Sequence, residues 1–75
     1  MSPAELIAAA EMAESIVSEM AAAADALTKK GKAAAVRALL EEARRHTAEA
    51  IRLRAQAAAL QQRGDARSED PEHRA

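Results

Sequence analysis

Apolar residues recur near the start of the chain at Leu6, Ala9, Ala13, Ile16, Met20, Ala23 and Leu27, in an unbroken alternation of three- and four-residue steps. That period puts them on one side of an α-helix, and its strictness is that of a helix packed on a partner at a shallow angle. The same alternation returns in Val36, Leu39, Ala43, His46, Ala50, Leu53, Ala57 and Leu60, with His46 the one polar member. Ser2-Pro3-Ala4-Glu5 opens the first helix: serine accepts from free amides, proline suits the first helical position, and Glu5 suits the positive end of the dipole. Thr28-Lys29-Lys30-Gly31-Lys32 supplies cations for its last turn and a glycine for the left-handed cap. The pattern predicts a helix over about 3–28, a turn at 29–32 and a second helix over about 33–62, closed by Gly64. Together, residues 1–63 form an all-α, antiparallel two-helix hairpin. Residues 64–75 read as a polar tail, either disordered or with a short helical turn capped by Ser68 or Asp70 ahead of Pro71 and Glu72.

A register follows if paired residue numbers sum to about 62 or 63. Leu27 then meets Val36, Met20 meets Ala43, Ile16 meets His46, Ala13 meets Ala50, Ala9 meets Leu53 and Leu6 meets Ala57. Large side chains face small ones in most layers, as close packing requires. Charge suggests the same register. The first helix carries Glu5, Glu11, Glu14, Glu19 and Asp25 with no cation before Lys29, whereas the second carries Arg37, Arg44, Arg45, Arg52, Arg54 and Arg63 against three glutamates. The expected cross-helix pairs are Asp25 with Arg37, Glu19 with Arg44, and Glu11 with Arg52. Exposed pairs of this kind set partner and orientation more than stability.

Each helix also carries a second apolar stripe: Ile7, Ala10, Val17, Ala21 and Ala24 in the first, and Leu40, Ile51, Ala55 and Ala58 in the second. One partner helix covers only part of so wide a face. The expectation is therefore a homo-oligomer, with hairpins associating into a four-helix bundle as a dimer or into a larger ring. The interface residues would include Ile7, Val17, Leu40 and Ile51 beside the two seams.

Composition removes most other functions. The 75 residues include no Cys, Phe, Tyr or Trp, and the net charge is −1. Without cysteine there is no disulfide framework and no thiolate nucleophile, and the common zinc-finger ligand sets are missing. Without aromatics or a cationic surplus, nucleic-acid binding is disfavoured. The sequence shows neither the basic, apolar pattern of a signal peptide nor an apolar run of the ~18–20 residues that span a bilayer. A soluble protein without a membrane partner is expected, cytoplasmic if natural. His46 is the single residue placed for chemistry, with Glu14, Glu42 and Glu49 near it in the register. Its Glu42-Ala-Arg-Arg-His46 context differs from the Glu-x-x-His of carboxylate-bridged bundles, and two arginines repel a cation. A buried or half-buried histidine satisfied by Glu14, or one pointing at the seam's edge, is the better reading, with a polar seam residue that fixes register or oligomer state as the alternative, so no metal, cofactor or catalytic residue is assigned. Arg63-Gly64-Asp65 matches a short adhesion motif, but Gly64 already has a local reason to be there. Ser15 and Ser18 lack an oxyanion hole.

The Ser-Pro-Ala-Glu-Leu opening, the Lys-Lys-Gly-Lys connector, and heptads filled with Ala, Leu, Ile and Val resemble computationally designed helical bundles and oligomers. The likeness covers Met1 to about Gly64. It implies a self-assembling structural module without native enzymatic activity. The polar tail and the preference for Arg over Lys in the second helix suit a natural bacterial protein equally. The alternative reading is therefore a coiled-coil adaptor or regulator binding a partner protein or RNA, similar in topology to small plasmid-regulating RNA-binding dimers.

Overall fold

The computed structural model describes residues 1–68. They form two helices packed against each other, α1 (Pro3–Lys29, 27 residues) and α2 (Ala33–Ser68, 36 residues). At a rise of ~1.5 Å per residue these are rods of about 40 and 54 Å. α1 begins with a complete capping box. The Glu5 amide donates to Ser2 Oγ at 3.1 Å, and the Ser2 amide donates to Glu5 Oε1 at 2.9 Å, so two otherwise orphaned donors are satisfied. The chain reverses at Lys30-Gly31-Lys32 through a Schellman turn. The Lys32 amide donates to the Leu27 carbonyl at 3.0 Å and the Gly31 amide to that of Thr28 at 3.0 Å. Gly31 takes φ +73°, the left-handed conformation that the turn needs and that a Cβ disfavours.

The two helices close on alanine. Ala10, Ala13 and Ala50 form the buried centre, with Leu53 packed against it, and Ala10 is 0% exposed. Leu6, Ala24, Ala43 and Ala57 are also buried. Such short side chains let the backbones approach toward the near end of the usual interhelical range. On α2 the residues turned inward are Ala43, Ala50 and Ala57, buried, and Val36, Leu39, His46, Leu53 and Leu60, half-buried.

On α1 the inward face is rolled relative to the expected seam. Leu6 and Ala13 are buried and Ile16, Met20 and Leu27 half-buried, but Ala10 and Ala24 are buried while Ala9 is half-buried and Ala23 exposed. The apolar pattern allows either roll, because Ala9, Ile16 and Ala23 are nearly matched by Ala10, Val17 and Ala24. Charge favours the observed roll, which carries Glu14 to the side of the seam that holds Arg54.

The second helix does not stop near Gln62. It runs through Gly64 to Ser68, and Gly64, unlike Gly31, lacks a positive φ. Glycine inside a helix costs only about 1 kcal/mol relative to alanine, and the neighbours Gln61, Gln62, Arg63, Ala66 and Arg67 are good helix formers. The tail expected from residue 64 therefore begins as helix. The cap expected at Asp70 and the turn at Pro71 and Glu72 lie outside the described residues.

The two glycines should respond oppositely to alanine. A Cβ at either position meets nothing within 4 Å, so only backbone conformation distinguishes them. Gly31→Ala should destabilise the hairpin by about 1 kcal/mol, and Gly64→Ala should stabilise it by up to about 1 kcal/mol. Urea unfolding followed by helical circular dichroism measures both.

Candidate functional site

The three charge pairs expected across the hairpin are absent, and the reason lies in the roll of the helices. By the helical period and the observed roll, Glu19 and Arg44 are level but fall on opposite sides of the seam, as do Glu11 and Arg52, while Asp25 and Arg37 share a side without meeting. Asp25 instead lies 3.5 Å from Lys29, and Arg52 lies 3.0 Å from Glu49, both within one helix. Arg45 similarly pairs with Glu42 at 2.6 Å. Glu11, Glu19, Arg37 and Arg44 make no ion pair within 4 Å among the described residues.

The pair that does bridge the helices is Glu14 with Arg54. It is bidentate, with Arg54 Nε donating to Glu14 Oε2 and Nη2 to Oε1, each at 2.8 Å. Both residues flank the seam on the same side, which is what a bridge requires. Arg54's hydrogen bonds hold the Glu14 carboxyl below the usual range, and Glu14 in turn raises the Arg54 guanidinium above its ordinary value. Levelness along the rods does not identify this pair, whose residue numbers sum to 68 and not to 62 or 63. The signal available in the sequence was the side of the seam each residue takes, which depends on the roll.

His46 is half-buried, with Nε2 4.0 Å from Glu42 Oε2, too far for a hydrogen bond. Glu14, the neighbour expected for it, is committed to Arg54. Among the described residues no group of three or more His, Asp or Glu side chains could hold a metal ion, and no helix is long and apolar enough to cross a membrane.

A further feature is a pair of adjoining grooves on the Glu14–Arg54 side of the hairpin, of about 410 and 400 Å³. Thr28, Ala33, Val36, Arg37 and Leu40 line the first. Leu40, Ala43, Arg44, Thr47, Ala48 and Ile51 line the second. Leu40 is shared and 41% exposed, and Ile51 is 65% exposed. The two hydroxyls along this surface are already used, because Thr28 Oγ1 donates to the Ala24 carbonyl at 2.8 Å and Thr47 Oγ1 to that of Ala43 at 2.9 Å. Covering the grooves would therefore strand neither hydroxyl, which is the usual cost of drying a polar surface. The opposite side of α2 carries its internal ion pairs, Glu42–Arg45 and Glu49–Arg52. Apolar and polar flanks of α2 are thus separated by the seam. No family model, curated protein or solved structure matches the chain.

Two outcomes follow for single residues. Because folding depresses the Glu14 carboxyl, its contribution to stability is complete above the unfolded value and is lost as pH falls through the folded one. Glu14→Gln should therefore lower Tm near neutral pH and show a shallower acid decline than the parent, the two curves converging at low pH. Thermal unfolding across a pH series checks this. His46→Leu should raise the urea midpoint, since it replaces a half-buried polar group without a hydrogen bond by an apolar one; a lowered midpoint would assign His46 a stabilising contact.

Proposed function

We propose that the chain is a structural self-association module: a helical hairpin whose role is to assemble with further copies into a helical bundle. The observation that carries this reading is the apolar groove from Val36 through Leu40 to Ile51, which the hairpin leaves uncovered. A single chain has little interior to offset it. Among the described residues the buried set is Leu6 and six alanines, and no large side chain is fully buried. Each aliphatic side chain moved from half-exposed to buried gains part of the ~1.5–3 kcal/mol that full burial supplies. A second copy provides such cover on both molecules at once, which is why closed symmetric assembly is the economical solution. The sequence resemblance to designed helical oligomers supports the same role, and no catalytic or cofactor function is proposed.

Sedimentation equilibrium over a dilution series tests the reading. The parent chain should show a mass above that of one chain that falls on dilution, and Ile51→Lys or Leu40→Lys should shift it toward monomer with the helical spectrum retained at high concentration. A monomeric mass at all concentrations with full helicity would overturn the proposal.

A further inference from the structure

The groove face carries an acidic excess on α1 and a basic excess on α2, and this specifies how a second copy would lie. Resting on the self-association proposed above, we propose that the partner covers the α2 groove with its α1, the two hairpins being related by a two-fold axis that runs parallel to the helices.

On the groove side the helical period places Glu11, Glu14 and Asp25 on α1 and Arg37, Arg44 and Arg54 on α2, with Glu41 one turn from both Arg37 and Arg44. Glu14 and Arg54 neutralise each other within the chain, and Asp25 has only the exposed Lys29 at 3.5 Å. Arg37 and Arg44 border the groove without an ion pair among the described residues.

Two kinds of two-fold axis can bring the groove faces of two hairpins together. An axis perpendicular to the helices sets α2 on the partner's α2 and α1 on the partner's α1. Arginines then face arginines and carboxylates face carboxylates, an apposition that works against that pairing. An axis parallel to the helices sets α2 on the partner's α1, so the two signs meet. It also preserves height along the rods. Residues level within one hairpin are then level between copies, and Arg37 comes beside the partner's Asp25. Leu40 comes level with the alanine run that contains the partner's Ala21, where small side chains leave room for it. The match between acidic α1 and basic α2, unused across most of the hairpin's own seam, is thereby used between copies.

The chain has no cysteine, so single cysteines report geometry cleanly. Ala21→Cys and Leu40→Cys chains are prepared separately, unfolded together, refolded as a mixture and oxidised, with Thr47→Cys alone as the opposing probe. Uncrosslinked masses are measured first. The inference expects dimers, a disulfide-linked product from the mixture well above either variant alone, and only background from Thr47→Cys, whose copies would lie diagonally across the bundle beyond the ~7 Å limit between Cα atoms for a disulfide. Efficient self-crosslinking of Thr47→Cys, or a dimer that crosslinks through neither probe, would overturn the helix assignment while leaving self-association standing. A mass above two chains together with the mixed crosslink would overturn the two-fold closure. Monomers at every concentration, for these variants and the parent alike, would remove the self-association reading and this inference with it.

Discussion

The fold depends on the close approach of two helices through alanine. With Ala10, Ala13 and Ala50 at the centre, the contact between the rods is narrow, and the larger side chains on either side of it cannot all turn inward. Val36, Leu39, Leu53 and Leu60 on α2, and Ile16, Val17, Met20 and Leu27 on α1, are each only half-buried. Dispersion and hydrophobic contributions both scale with contact. A seam of this kind therefore holds the pair together while leaving apolar surface along its flanks. The groove beside Leu40 and Ile51 is a direct consequence of how the core is made.

A core with so little shape in it specifies geometry weakly, and weaker forces then decide. Alanine and short aliphatics at neighbouring positions make two rolls of α1 almost equivalent for packing. An exposed ion pair contributes only ~0–1 kcal/mol, too little to hold a fold together but enough to choose between near-degenerate alternatives. Gaining Glu14 against Arg54 favours the observed roll. The chain thus divides its labour: apolar periodicity brings the helices together, and charge selects how they are turned.

This division explains which features were legible in the sequence. The helices, their connection and the start of α1 were readable because each has a local cause: the capping box at Ser2 and Glu5, and the left-handed glycine at Gly31. A single-chain pattern also located the apolar stripes. It could not fix the roll of α1, since Ala9 and Ala10, or Ala23 and Ala24, are chemically identical choices. The ion pairs depended on that roll. Matching residues by height put Glu19 with Arg44 and Glu11 with Arg52, which are level but on opposite sides of the seam. Gly64 was misread for the opposite reason. A glycine has local meaning only where the chain must leave the helix, and helix-forming neighbours on both sides give it no cause to do so.

The groove differs from ordinary exposed hydrophobic surface in what surrounds it. Single exposed aliphatics are common on protein surfaces, and Met12, 68% exposed on α1, is one of these. Leu40 and Ile51 instead belong to a continuous strip whose hydroxyls are bonded to their own helix and whose bordering Arg37 and Arg44 make no ion pair within 4 Å among the described residues. Drying such a strip leaves few new polar groups unsatisfied, and supplying acids from outside removes an imbalance already present. Both conditions favour an acidic, alanine-rich helix as the covering element. The chain itself contains a helix of that description in α1, so the chemistry that leaves the hairpin incomplete is also the chemistry by which another copy would complete it.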